Sequence, residues 1–359
     1  MRIVSHYISR EFLKMTGLCL AIFVFIYFLV DLMEKLNDFN QAGVSPRLII
    51  WYFLFTLPAI FKQMVPVAIL MGTQLTFGFL SKNNQLIAFK SSGLNMVRLS
   101  FPIILFSFAA SLTLLIIGEG LIPFTNARAA EIWNIQVKKK ELRAVLIQER
   151  IWYKGDQGIY SFNRLNFKDQ VAEGVTFYFF DSQFNLTLRL DAEKVQWKNG
   201  IWFFYNGLSQ SFHGEGNYTS QPFAEKTLTL PETPEDFRVQ EKGSEEMTYT
   251  ELRSHIRKIQ KEGYEATRYQ VEKEIRLAFP FVCLIMALIG ISMALRKEKG
   301  IGIGQGIVGS LAVTFIYWIF FGFSRSLGIS GIFPPLWAAW ASNLLFLMIG
   351  GYLLLTIRQ

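Results

Sequence analysis

The sequence predicts an α-helical membrane protein with six transmembrane helices and an inserted all-β, jelly-roll-like domain. Three observations carry this prediction. Of 359 residues, 51% are hydrophobic, 15% aromatic and only 18% charged, against roughly 25% charged in an ordinary soluble domain. Charge-poor runs long enough to cross a bilayer, about 17 to 25 residues, form one cluster near each end of the chain. Between them lies a polar centre of about 150 residues, enough to bury its own core. The expected division is residues 1–123 for three membrane helices, 124–271 for the inserted domain and its return helix, and 272–359 for three further membrane helices.

The first run, Met15 to Val30, is uncharged between Lys14 and Asp31, and extends as a helix from about Phe12 to Leu36. No small-residue cleavage site follows it, only Asp31, Leu32, Met33 and Glu34, so it reads as a permanent span rather than a signal peptide. The second run, Leu48 to Leu80, contains Lys62, Pro58 and Pro66. At 1.5 Å per residue it exceeds the ~30 Å apolar layer and should kink or project. The third covers about Val97 to Pro123. Beyond the polar centre come Leu277 to Leu295, Gly304 to Phe323 and Ile332 to Ile357.

The net charge of +8 belongs to these membrane segments: the centre carries 20 Lys/Arg and 20 Asp/Glu, the flanks 16 and 8. Counted by alternate sides, Arg2, Arg10, Lys14, Lys82, Lys90, Arg98, Arg296, Lys297, Lys299 and Arg358 oppose Lys35, Arg47 and Arg325. The positive-inside rule therefore predicts cytoplasmic termini and an exported centre, periplasmic in a cell with two membranes. No basic stripe with interleaved aromatics exists, which argues against nucleic acid as a partner.

From Leu142 to Leu230 short bursts of alternating residues are separated by turn signals at Gly155-Asp156, Asp181-Ser182 and Asn199-Gly200, the last having the residue types of a tight hairpin. About eight strands fit, as a β-sandwich or jelly roll with a groove between its sheets. After Pro231 and Pro234, Thr248-Tyr249-Thr250-Glu251 is a capping box opening a helix that should run to about Glu262 and stop at Gly263.

Covalent chemistry finds no support in the residues. His6, His213 and His255 are dispersed, and Cys19 and Cys283 lie in apolar runs, so neither a metal site nor a disulfide framework is indicated. The glycine run Gly300 to Gly306 lacks the Lys-Ser/Thr end of a phosphate loop and reads as helix packing or a cytoplasmic turn. No cofactor is expected on this chain, and any ATP must act through a partner subunit. Boundary charges are more informative, because a charge in hydrocarbon costs a few kcal/mol and tends to face a protein interior. Lys62, Glu119, Lys273, Glu274 and Arg276, with Asp31, Glu34 and Lys35, form such a set. The alternative is snorkelling to the headgroups. Between spans two and three, Ser81 to Gly93 reads as a short cytoplasmic helix offering Leu86 and Phe89 to a partner's groove.

Here the chain resembles the lipopolysaccharide-export permease family LptF/LptG (YjgP/YjgQ). The resemblance runs through Pro66, Leu70, Gly72, Leu80, Gln85-Leu86, Ala88 and Ser92-Gly93, then Gly118-Glu119, Pro123, Trp152, Arg268-Tyr269-Gln270 and Pro280. Val30-Asp31 and the strand Ile151 to Asp156 look more like LptG. The resemblance implies a non-catalytic permease subunit of an ABC transporter that extracts lipopolysaccharide from the bacterial inner membrane. The partners it implies are an LptF-like paralogue, an LptB-like cytoplasmic ATPase dimer and a periplasmic β-jelly-roll bridge of the LptC/LptA kind. It makes residues 81–90 an ATPase-coupling helix, with Gln85, Leu86, Ala88 and Phe89 at the contact. A carboxylate usual in the family is replaced by Gln85. Lipid-contact candidates are Lys35, which lines up with a family basic position, and Lys62, Arg276 and Arg325. The competing reading is a mechanotransmitting ABC subunit that moves no lipid. It is disfavoured because such proteins generally place their large domain after the first span.

Overall fold

The structure is a computed structural model that describes residues 2–137, 147–155, 158–167, 169–181, 183–198, 200–212, 217–237, 243–261, 265–296 and 302–356. Leu142, Asp156, Ser182, Asn199, His213, Glu262, Gly263, Lys297, Lys299, Gly300, Ile301 and Arg358 lie outside the described residues. The chain divides into two compact units, one formed by Met1–Ile132 with Lys242–Gln359, the other by Trp133–Glu241.

In the first unit, α1 spans Arg2–Ala42, α2 Pro46–Lys82, α3 Gln85–Ser91, α4 Met96–Leu99, α5 Phe101–Glu119 and α6 Leu121–Ile132. After the insertion come α7 (Tyr249–Lys261), α8 (Thr267–Ala278), α9 (Val282–Leu295), α10 (Ile303–Ile329) and α11 (Pro335–Leu355). Six helical stretches are long and apolar enough to cross a membrane: α1, α2, α5, α8 continued by α9, α10 and α11. Several run past the apolar stretch, α1 to Ala42 rather than about Leu36, because charged residues at the ends continue a helix in the headgroup region without penalty.

The centre of this unit is α2, which stays helical through Pro58 and Pro66 and buries an unbroken run from Val65 to Gln74. Close packing against it depends on small residues. A side chain at Gly72 would place its Cβ 2.8 Å from Thr16 Cα, so α1 and α2 approach nearly to backbone contact there. Gly306, from the glycine run, faces Gln74, whose Cβ would be 3.3 Å from an added methyl. Outer faces of α1 and α10 expose Phe25, Val30, Phe315 and Phe323, the surface expected against hydrocarbon.

Span four is interrupted. Between α8 and α9 the residues Phe279–Phe281 form a 3-10 turn, where Pro280 cannot donate to the preceding turn. Asn343 on α11 repairs the break: its Nδ2 donates to the Ala278 carbonyl at 2.7 Å, and its Oδ1 accepts from Tyr317 Oη at 2.8 Å. The expected capping box forms, with Thr248 N–H donating to Glu251 Oε2 at 2.8 Å and Glu251 N–H to Thr248 Oγ1 at 3.3 Å.

The inserted unit is one antiparallel sheet of six strands: β1 Ile147–Lys154, β2 Gly158–Asn166, β3 Val171–Phe180, β4 Leu186–Lys198, β5 Ile201–Phe212 and β6 Tyr218–Leu228. Each strand pairs with its sequence neighbour. The all-β insertion is as expected, but there are six strands rather than about eight among the described residues. They follow one another as a meander, without the long crossings of a jelly roll. Gly200, at φ +84°, closes the β4–β5 hairpin, where Lys198 faces Ile201.

A crease crosses this sheet. The pairings between neighbouring strands skip one level throughout, at Arg150, Asn163, Gly174, Glu193, Asn206 and Ala224. Gly174 and Asn206 sit there at positive φ, +59° and +51°. The burial alternation changes phase at this level: Phe162 and Leu165 are buried around exposed Asn163-Arg164, and Ala192 and Val195 around exposed Glu193-Lys194. Apolar residues from both sides of the crease therefore share one core. Phe177 and Phe204, from opposite sides, have ring centroids 5.1 Å apart. Phe237 lies fully buried against both Phe162 and Trp202.

Candidate functional site

Lys62, Arg276 and Arg325 are brought together. They line a cavity of about 300 Å³ between α2, α5, α6, α8 and α10, with Gly118, Asn126, Glu245, Glu272 and Phe279 also in its wall. The local sequence explains the placement of each cation. Lys62 lies on α2 between the two prolines, and its Nζ sits 5.5 Å from the centre of the Phe279 ring, a cation–π contact. Gly118 leaves the room, since a Cβ there would lie 3.5 Å from that Nζ. Arg276 is near the end of α8, just before the 3-10 turn, and its Nη2 donates to the Ser244 carbonyl. Its Nη1 is buried with no hydrogen-bond partner. Arg325 on α10 donates through Nε to Glu272 Oε1 at 2.9 Å and also through Nη2.

The three cations differ in how far they are committed. Arg325 is held by a largely buried carboxylate. Lys62 has no ion pair within 4.0 Å among the described residues, and Arg276 bonds to a neutral carbonyl. Among the described residues neither is in contact with a carboxylate, although Glu119 and Glu245 lie near enough to act on both through space. Glu119 accepts the Tyr249 N–H at 2.9 Å, and Asn126 Nδ2 donates to the Glu245 carbonyl at 3.3 Å. The fourth candidate, Lys35, is elsewhere. It pairs with Asp31 at 2.7 Å and lies 5.2 Å from the Tyr52 ring centre. Lys273 pairs with Glu274 at 2.9 Å. Among the described residues no group of three His, Cys, Asp or Glu side chains is placed to hold a metal.

Sequence reasoning missed Glu272, Asn126 and the Ser244-Glu245 backbone. Glu272 is separated from Arg325 by 53 positions, a pairing with no local signal. The only clue lay in the charged string Glu272-Lys273-Glu274-Arg276, of which Glu272 alone was passed over.

At the far end of α2, helix α3 (Gln85–Ser91) forms within the stretch expected to hold a short helix. Asn84 at φ +57° opens it, and Gly93 at φ +73° follows its end. Of the four residues expected at the contact, Leu86 and Phe89 turn inward, Ala88 stays exposed and Gln85 is half-buried. Leu86 is fully buried in the core with Ile8, Phe12, Leu80 and Leu99, and Phe89 packs against the same cluster. Residues three apart share a helix face, so burying Leu86 turns Phe89 inward as well. Ile87, 47% exposed, and Ala88 point outward instead. Gln85 Oε1 accepts a 3.2 Å bond from Tyr7 Oη of α1.

Comparison with known proteins bears on the whole chain. Residues 6–356 match the family model described as lipopolysaccharide export system permease LptF/LptG. The lipopolysaccharide export system permease protein LptG of Escherichia coli (strain K12) is 19% identical over 365 residues, covering 98% of each chain. Its namesake in Haemophilus influenzae (strain ATCC 51907 / DSM 11121 / KW20 / Rd) is 19% identical over 357 residues, again with 98% of each covered. A match of this extent, in a chain with six membrane-length helices and a sheet inserted between the third and fourth, means that the chain belongs to the lipopolysaccharide export permease family LptF/LptG, on the LptG side.

Proposed function

We propose that this chain is the LptG-type permease subunit of an ABC transporter that extracts lipopolysaccharide from the inner membrane and passes it to a periplasmic bridge. Beyond the family match, the observation that carries the reading is the cavity joining Lys62, Arg276 and Arg325 at one end of the membrane helices. Cations in a low-dielectric wall suit the phosphates of a large amphiphile whose acyl chains lie along apolar helix faces. Lys35, already neutralised by Asp31, contributes less.

In this reading both termini are cytoplasmic, residues 124–271 form the exported portion, and residues 1–123 and 272–359 form the membrane part. The chain hydrolyses nothing itself. An LptB-like ATPase dimer supplies the energy through residues 81–90, with Ile87 and Ala88 rather than Leu86 as the apolar contact and Gln85 in place of the family's carboxylate. An LptF-like paralogue completes the cavity, and an LptC/LptA-like β-jelly-roll bridge receives the lipid.

Purification of the tagged chain from its own membranes, with mass spectrometry of the co-isolated proteins and lipids, tests this. A paralogous permease, an ATPase and lipopolysaccharide should appear together. Co-isolation of a periplasmic enzyme without glycolipid would favour a mechanotransmitter and overturn the proposal.

A further inference from the structure

The cavity is also where the chain leaving the inserted sheet is held. From Ser244 to Tyr249 the connector into α7 is gripped by three side chains on three helices. Arg276 of α8 bonds the Ser244 carbonyl, Asn126 of α6 the Glu245 carbonyl, and Glu119 of α5 the Tyr249 N–H. Two of these gripping residues, Arg276 and Asn126, are wall residues of the cavity itself. The same guanidinium thus serves the connector and faces the space a ligand would enter.

We propose that Arg276 is a ligand-sensing latch: a phosphate group entering the cavity captures its guanidinium from the Ser244 carbonyl and so loosens the connector. This rests on the reading of the cavity as a phosphate-binding site. The chemistry favours exchange. A guanidinium presents a rigid fork that matches phosphate oxygens bidentately, and phosphate adds a second bond and an ion–ion attraction that a single neutral carbonyl does not supply. In the structure one arm of the fork is on a neutral carbonyl and the other, Nη1, is buried without a partner. Phosphate satisfies both arms and adds the Lys62 ammonium. Arg325 is not the moving part, because Glu272 already offers it a charged acceptor in two bonds.

Release has a local readout. The Glu246 N–H bonds the Gly243 carbonyl at 2.9 Å within the 3-10 turn Ser244–Glu246, and the Tyr249 N–H is held by Glu119. Hydrogen exchange of residues 243–250 is measured by mass spectrometry on the full complex in nanodiscs. The additions are bisphosphorylated lipid A, its dephosphorylated form and inorganic phosphate, with lipid occupancy read by native mass spectrometry. Exchange in this segment should rise several-fold with the phosphorylated lipid and not with the dephosphorylated one. The variant Arg276→Gln should exchange fast without lipid and gain nothing on its addition, while the exchange of α2 stays unchanged. Bound phosphorylated lipid with unaltered wild-type exchange overturns the latch and leaves the cavity reading standing. Failure of the wild-type complex to take up the lipid overturns the cavity reading and the latch with it. An equal response to inorganic phosphate overturns the lipid as the trigger and assigns the latch to a free anion.

Discussion

Replacing Leu86 and Ile87 separately distinguishes what holds α3 in place from what it offers to a partner. Leu86 is completely buried among Ile8, Phe12 and Leu99. Truncating such a leucine to alanine costs about 2–5 kcal/mol, a large part of a typical stability of about 5–15 kcal/mol. Ile87 is 47% exposed, so about half of the roughly 1.5–3 kcal/mol available from burying it remains for a partner to claim. That is about 1 kcal/mol, or about a fivefold change in affinity. The assay titrates the ATPase partner proposed above against the solubilised permease and records the melting temperature of the same preparations. Ile87→Ser should weaken association about fivefold while lowering the melting temperature less than Leu86→Ala does. Leu86→Ala should lower the melting temperature, and its association should fall only as far as folding does. An intact Leu86→Ala protein that no longer binds, beside an Ile87→Ser protein that binds normally, would refute the assignment of faces.

Three further outcomes follow from the packing and the sheet. Gly72→Ala forces a methyl toward the Thr16 backbone and should destabilise the α1–α2 pair by about 1–3 kcal/mol, seen as a lower melting temperature in detergent. Asn343→Leu leaves the Ala278 carbonyl and the Tyr317 hydroxyl unpaired, at about 1–3 kcal/mol for each buried group. Hydrogen exchange around Phe279–Val282 should rise, and Tyr317→Phe added to it should recover part of the loss. On the exposed β3–β4 turn, Asp181 accepts the Asn185 and Gln183 N–H groups and the Asn185 side chain, which hold its carboxyl below the usual carboxylate range. A depressed folded value means that the turn's support is present above the unfolded value of about 3.9 and fades as pH falls through the folded one. Amide protection at Gln183 and Asn185, corrected for intrinsic exchange, should therefore drop below pH about 4, and Asp181→Asn should remove that dependence.

Six spans were legible because bilayer thickness imposes a length on apolar runs, and every such run here became a helix. Their ends were less legible: α1 continues through Asp31, Glu34 and Lys35, residues that suit a helix outside hydrocarbon as well as they suit its end. Thr248 and Glu251 were readable because a capping box is local, and Gly93 and Gly200 because positive φ at a tight turn selects glycine. Among the described residues the strands are fewer and longer than expected for a physical reason. Asn163-Arg164 and Glu193-Lys194 break the alternation, so one long creased strand looks like two short ones. At α3 the pattern showed which residues are apolar but not which side the core lies on, since Leu86 and Ile87 are adjacent. The cavity was half legible: charges stranded near a membrane boundary pointed to Lys62 and Arg276, whereas the Glu272–Arg325 pair and the grip on Ser244 depend on how distant helices meet.

The line through Asn163, Gly174, Glu193 and Asn206 gives the sheet something a flat meander lacks. Along it the ladder skips a level in every neighbouring pair of strands, so flexing there disturbs fewer cross-strand bonds than flexing within either panel. The sheet behaves like scored card, stiff within each panel and compliant along the score. Phe237 wedges the panels from within and the Phe177–Phe204 contact ties them across the crease, so prising them apart means parting both.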